Sequence, residues 1–208
     1  MRNEKKATAM DADAFFWESN KKGNTDWQTY DIDKHLESLT NLLSKCSKEQ
    51  LVQFETSLYE NLNKLYTAEI AELNIILECP FTIVNQEVVF DAYLSTDGFI
   101  YFRCWLLLKG KEFFDEITTD INAFINGKYS FNIGDCWAEG LLYVASDAYA
   151  VSQKNQTEAE IQNAFNRLFP DVDYDSAERK MKGKPASGSH LQEKYPELVK
   201  EIVLLRST

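Results

Sequence analysis

Apolar residues recur at steps of three and four along most of the chain, a pattern that predicts amphipathic helices. One such segment spans residues 31–45, where four leucines share a helix face. Another begins at Ser47, which forms a capping box with Gln50, and its apolar face continues to about Leu77. The phase of this face changes near residues 66–68, so we expect a kink or a break there. Further helices are predicted at residues 11–22, 111–117, 121–125, 135–153, 157–169 and 197–205.

The most apolar stretch of the chain follows Ser95 and Asp97, either of which can cap a helix. From Phe99 to Leu108, nine of ten residues are apolar or aromatic. A helix that is apolar all round is normally buried on most of its circumference. We therefore predict a central helix at about 97–109 in an all-α fold. Residues 11–208 are expected to form a single helical domain after a frayed N-terminus at 1–10.

Residues 81–90 are rich in β-branched and aromatic side chains, so their assignment is open. They fit one short strand. A family resemblance described below favours a helix for Val88–Tyr93.

Arg103 is the one charged residue of the central stretch. A buried and unpaired guanidinium would cost several kcal/mol, so a partner is expected. Asp91, Glu139 and Asp147 are the candidates, because each lies in or beside another apolar segment. We favour a structural ion pair over the alternative, an arginine that faces a ligand.

The net charge of −11 argues against a nucleic-acid-binding protein, since phosphate neutralisation needs a basic face. The four cysteines lack C-x-x-C spacing and are expected to be reduced core residues of a cytoplasmic protein. With two distant histidines, neither a metal centre nor a cofactor is expected. Cys104–Leu108, the longest apolar run, is too short to cross a bilayer, and we expect no targeting signal.

Two charged clusters near the C-terminus are interpreted as solvated loops. The acidic run Asp171–Asp175 lacks the glycine and the final glutamate that a calcium loop needs. The basic residues are Arg179, Lys180, Lys182 and Lys184.

The motif S-x-D-G-F-x-Y-F-R-x-W-L at residues 95–106 is followed by G-x-x-x-F at 110–114. Together with Phe16-Trp17, the helical segment 31–77, the segment 139–149 and Y-P-x-L at 195–198, it resembles the bacterial family called domain of unknown function 4240. The resemblance covers most of the chain. It implies a fold, and it carries no established activity.

No P-loop, dinucleotide-binding fingerprint, nucleophile elbow or zinc-protease motif is present in the sequence. We therefore favour a non-catalytic protein-binding module, in the form of an immunity or antitoxin-like protein whose acidic, aromatic surface holds a toxin or effector. The alternatives are a small-molecule or nucleotide-related enzyme with a pocket around Arg103, and a scaffold that homodimerises; the oligomeric state is open. No nucleic-acid or membrane partner is expected. The candidate structural or ligand-facing residues are Asp97, Gly98, Tyr101, Arg103, Trp105, Glu139 and Asp147, and no catalytic residue is assigned.

Overall fold

The computed structural model describes residues 11–23, 31–91, 93–124, 136–152, 159–170 and 181–207. These residues hold ten α-helices and one two-stranded antiparallel sheet, which confirms the mostly helical class. In chain order the elements are α1 (Ala12–Gly23), α2 (Ile32–Leu43), α3 (Lys48–Lys64), α4 (Ala68–Glu78), β1 (Phe81–Val84), β2 (Glu87–Phe90), α5 (Thr96–Leu108), α6 (Lys111–Ile117), α7 (Val144–Ser152), α8 (Ala159–Leu168), α9 (His190–Lys194) and α10 (Pro196–Arg206), with short 3₁₀ helices at Ile121–Phe124 and Glu139–Leu142.

Several predicted features fall outside the described residues. They are the frayed segment 1–10, the acidic run Asp171–Asp175, and the basic residues Arg179 and Lys180. Within the described ranges, none of the helices is both long and apolar enough to span a membrane.

The chain divides into two compact units, and the first consists of residues 1–59 and 143–169. Its described helices are α1, α2, α7, α8 and most of α3. Phe16 and Phe54 are fully buried in this unit, with their ring centroids 4.9 Å apart. The predicted capping box is confirmed, because the Ser47 N–H donates to Gln50 Oε1 and the Gln50 N–H donates to Ser47 Oγ.

The second unit consists of residues 60–142 and 170–208. The break predicted near residues 66–68 is confirmed, since α3 ends at Lys64 and α4 starts at Ala68. Thr67 causes the restart by adopting an extended conformation and accepting a hydrogen bond from the Ile70 N–H. The interpretation of residues 11–208 as a single domain stays a prediction.

The helix α5 confirms the predicted central helix to within one residue at each end. Ser95 is its N-cap and accepts a hydrogen bond from the Gly98 N–H at 3.0 Å. Ten of its thirteen residues are buried, as expected for a helix that is apolar on nearly all sides. Within its unit, α5 packs against α4, α6 and the 3₁₀ helix Glu139–Leu142.

Residues 81–90 form a hairpin of two strands, so the helix favoured for Val88–Tyr93 is wrong. The pairing runs from Phe81 opposite Phe90 to Val84 opposite Glu87. Asn85 and Gln86 both have positive φ, 51° and 71°, as a two-residue hairpin turn of matching twist requires. The Val88 N–H donates to Gln192 Oε1 at 2.6 Å, which satisfies part of the outer edge of β2.

The long helix predicted for residues 135–153 is also wrong in its first half. Residues 136–138 are irregular, the 3₁₀ helix Glu139–Leu142 follows, and α7 begins only at Val144. The Ala138 N–H donates a hydrogen bond to the Tyr101 carbonyl at 3.2 Å, which ties this segment to α5. Gly140 also lowers the helix propensity of the segment. The helix predicted at residues 121–125 is a 3₁₀ helix over its described part.

Glu72 anchors the C-terminal segment to α4. Its buried carboxylate accepts hydrogen bonds from the Ala186 N–H at 2.7 Å, from Lys194 Nζ at 2.7 Å and from the Tyr195 hydroxyl at 2.6 Å. Burial raises the pKa of Tyr195 to about 12, and its hydrogen bond to Glu72 acts in the same direction. Helix α10 then begins at Pro196, one residue before the predicted start at 197, in a position where proline is favoured.

All four cysteines are free thiols, and Cys79, Cys104 and Cys136 are buried. Burial also raises the pKa of the Cys79 thiol, so it is protonated at neutral pH. These three residues are core residues as predicted, whereas Cys46 is only half-buried, so the prediction is wrong for Cys46.

Candidate functional site

The guanidinium of Arg103 lies on the inner side of α5 and is buried, with the residue only 1% exposed. Its Nη1 donates to the Leu62 carbonyl at 3.0 Å, and its Nε donates to the Phe99 carbonyl at 3.2 Å. The rings of Tyr66 and Phe99 lie 4.8 and 4.7 Å from the guanidinium carbon. The guanidinium therefore contacts two main-chain carbonyl oxygens and the faces of two aromatic rings.

Leu62 lies in the last turn of α3. The final four carbonyl groups of a regular helix receive no hydrogen bond from within that helix. The Asn61 carbonyl is bonded by the Leu65 N–H, and the Asn63 carbonyl by the Tyr66 N–H. Arg103 satisfies the Leu62 carbonyl between them, where the negative end of the helix dipole favours a cation. Arg103 is thus a C-terminal cap of α3 supplied by another helix.

The carboxylate partner expected for Arg103, from Asp91, Glu139 or Asp147, stays a prediction. The hydrogen bonds described above go to main-chain carbonyls. Sequence reasoning considered only side-chain partners, whereas a helix C-terminus supplies a similar compensating charge.

Trp105 follows Tyr101 by one turn of α5 and is only 1% exposed. Its ring stacks on Phe102 with centroids 5.6 Å apart, and Lys109 Nζ lies 4.6 Å from its centroid. Its role in this structure is packing.

A different set of residues lies near the start of α5. Asp97 and Tyr101 are one turn apart on the same face of this helix, and Asp97 is exposed. Trp137 lies beside Gly98, because a Cβ placed on Gly98 would be in ordinary van der Waals contact with Cζ2 of Trp137, at 3.7 Å. We call the set Asp97, Gly98, Tyr101, Trp137 and Glu139 the aromatic–acidic patch.

Tyr101 connects the parts of this patch. Its hydroxyl donates to Glu139 Oε1 at 3.0 Å, and its ring lies 5.8 Å from that of Trp137. The Ala138 N–H donates to the Tyr101 carbonyl, so the segment that carries Trp137 is held on α5. Trp137 nevertheless remains 52% exposed.

The structure therefore sorts the predicted site residues into three groups. Asp97, Gly98, Tyr101 and Glu139 come together in the aromatic–acidic patch. Arg103 and Trp105 are both buried, each with 1% exposure. Asp147 is exposed on α7, in the other compact unit.

Sequence reasoning missed Trp137, which lies 36 positions from Tyr101 in the chain. Its only local signal is a bulky aromatic two residues before Glu139, next to a buried Cys136 and a buried Ala138. The buried, exposed, buried order of residues 136–138 shows that the Trp137 side chain turns outward from a packed segment. This order could not be inferred from a sequence pattern that predicted a helix.

The chemistry available at the patch is attraction of cations. Indole and phenol rings present negative π faces, and carboxylates add full negative charge beside them. Among the residues that the structure describes, no group of three or more histidine, cysteine, aspartate or glutamate side chains is arranged to hold a metal ion.

Comparison with known proteins gives one match. No curated protein and no solved structure is significantly similar to the chain. A family model described as protein of unknown function DUF4240 matches residues 10–151, about two thirds of the chain. The matched range contains α5 and the segment that carries Trp137. The chain belongs to the DUF4240 family of proteins of unknown function.

Proposed function

We propose that this chain is a non-catalytic protein-binding protein of the immunity or antitoxin type, which neutralises a toxin or effector in the bacterial cytoplasm. The partner is held at the aromatic–acidic patch. The observation that carries the proposal is Trp137, which is half exposed although its neighbours are buried.

A tryptophan in this setting is suited to binding. Its ring offers a large apolar area with little conformational freedom to lose, and tryptophan is enriched among the residues that dominate binding energy at interfaces. The ring contact with Tyr101 restricts the indole before any partner arrives, which lowers the entropy cost of association.

The charge of the chain supports a basic partner. The net charge is −11, and Asp97 and Glu139 place two exposed carboxylates on the patch itself. Opposite charges on two proteins accelerate their encounter and orient it, more than they tighten the final complex. A basic toxin would therefore be captured rapidly.

An enzyme pocket around Arg103 has less support. The side chain is 1% exposed, and main-chain carbonyls accept hydrogen bonds from two of its nitrogens. A ligand would have to displace these contacts and uncover the end of α3.

The test is to co-express the chain with products of its neighbouring genes that slow growth, and to measure restored growth and co-purification. We expect the wild-type chain to protect cells and Trp137→Ala to lose protection, with affinity reduced by about 30-fold or more. Tyr93→Ala is the matched control, because Tyr93 is 80% exposed and lies outside the patch.

Two results would count against this function. One is that no neighbouring gene product binds the chain or is neutralised by it. The other is that Trp137→Ala protects as well as Tyr93→Ala, which would place binding elsewhere. Thermal unfolding of both variants should be close to that of the wild type, since each removes an exposed ring.

A further inference from the structure

We infer that the aromatic–acidic patch receives the guanidinium group of an arginine side chain presented by the partner. This inference rests on the proposed function, because it assumes that the patch is the binding surface. It adds the chemical group that the surface recognises.

Exposed aromatic area and negative charge lie next to each other at the patch. Trp137 is 52% exposed although Tyr101 lies against it, so a substantial part of its surface is left for a partner. Tyr101 also orients the Glu139 carboxylate by donating to Oε1 at 3.0 Å. A cation on the indole would therefore meet a carboxylate whose position is already restricted.

Aromatic rings in the same compact unit already carry cations. Arg103 lies over Tyr66 and Phe99, Arg206 lies 5.1 Å from the Phe81 centroid, and Lys109 lies over Trp105. Trp137 differs from these rings, because no lysine or arginine within the described residues lies over it. Its exposed indole lies against Tyr101, whose hydroxyl holds the Glu139 carboxylate, so an arginine of the partner would meet both a ring and a negative charge.

The combination of a ring and a carboxylate favours arginine over lysine. A guanidinium is planar, so it can stack on an indole while its edge donates hydrogen bonds to a carboxylate. It is also less strongly hydrated than an ammonium group, so that less solvation is lost when it leaves water. Glu139 and Asp97 are the carboxylates of the patch that can accept those bonds.

The test uses N-acetyl-arginine amide as the probe and N-acetyl-citrulline amide as its uncharged counterpart of nearly the same shape. The readout is the indole N–H resonance of Trp137 in ¹⁵N-labelled full-length protein, assigned by its loss in Trp137→Phe. We expect a saturable shift with the arginine compound and a response at least about tenfold weaker with the citrulline compound.

Variants locate the carboxylate contribution. Glu139→Gln should weaken the arginine response by roughly three- to tenfold, because it removes one charge and leaves the shape. Glu193→Gln is the matched control, since Glu193 is an exposed glutamate on α9 in the same unit, away from the patch, and it should change nothing.

The inference is overturned if the citrulline compound shifts Trp137 as strongly as the arginine compound, or if neither shifts it. Its failure can be told from failure of the proposed function. Loss of toxin protection in Trp137→Ala without any arginine response would refute only the arginine assignment. A clear arginine response in a chain that neutralises no partner would refute only the immunity function.

Discussion

Replacing Arg103 by methionine removes the guanidinium and keeps most of the length and apolar volume of the side chain. In the wild type, the charge donates to the Leu62 carbonyl at the end of α3 and lies against two aromatic rings. The substitution therefore tests whether a cation from α5 stabilises the last turn of α3, with little change in packing.

Two opposing effects set the magnitude. The variant leaves the Leu62 carbonyl buried without this donor, which costs about 1–3 kcal/mol, and it also loses the cation–π contacts. It gains from no longer having to bury a charge, which offsets part of the loss. We expect the free energy of unfolding to fall by about 1–3 kcal/mol. Arg103→Ala adds a cavity, and its loss should reach about 3–5 kcal/mol.

The assay combines a global and a local measurement. Urea unfolding gives the midpoint and slope for the wild type, the methionine variant and the alanine variant. Amide hydrogen exchange then reports on the Leu65 and Tyr66 N–H groups, which close the end of α3. Both amides should exchange faster in the methionine variant, because their turn has lost its cap.

A methionine variant as stable as the wild type, with unchanged exchange at Leu65 and Tyr66, would refute this account of Arg103. It would show that the free-energy cost of burying the guanidinium equals the stabilisation from its contacts. An alanine variant no less stable than the methionine variant would contradict the packing part of the argument.

Three further predictions concern other parts of the second unit. The pKa of Tyr195 is about 12 in the folded chain against 10 in the unfolded chain, so the folded state holds this proton more tightly. Stability should therefore be fully present below pH 10 and fall by about 2 kcal/mol as pH rises to 12, and chemical unfolding of Tyr195→Phe across this range should show a smaller fall. Glu72→Gln should lower stability by about 2–3 kcal/mol at neutral pH in the same assay, because it removes the charge that Lys194 and Tyr195 share; an unchanged midpoint would contradict this. Gly98→Ala should destabilise the wild type by about 1 kcal/mol, since its Cβ would lie 2.7 Å from Ser95 Oγ. In a Ser95→Ala background that oxygen is gone, so the same substitution should be neutral or stabilising. Thermal unfolding of the four proteins of this double-mutant cycle measures the difference.

Much of the helical structure could be predicted because it depends on local signals. The start of α5 is set by Ser95, and its burial by the run of apolar residues that follows. The break between α3 and α4 was visible as a change in the phase of the apolar positions, and Thr67 is a residue that favours the cap it forms. These features need no knowledge of distant parts of the chain.

The errors arose where distant parts of the chain decide the local structure. The hairpin at residues 81–90 depends on two adjacent positive-φ residues, Asn85 and Gln86, and glutamine is not a strong signal for that turn. The irregular segment before α7 is held by a bond from Ala138 to Tyr101, which no local pattern reveals.

Only part of the candidate site could be predicted, because the rest also depends on distant parts of the chain. Asp97, Gly98 and Tyr101 are close in sequence, so one helix brings them together. Trp137 joins them only through tertiary structure. The carboxylate partner of Arg103 stays a prediction, and the sequence does not show that the end of α3 also lies beside the guanidinium.

The buried residues of α5 and the exposed ring of Trp137 differ in what a substitution would change. Residues such as Arg103 and Trp105 hold the helix in place, so exchanging them changes folding. Trp137 belongs to a neighbouring segment and is half exposed, so exchanging it alters the surface at little cost in stability. A substitution at Trp137 is therefore expected to change what the surface presents while the fold stays the same, whereas a substitution at Arg103 or Trp105 is expected to change the stability of the fold itself.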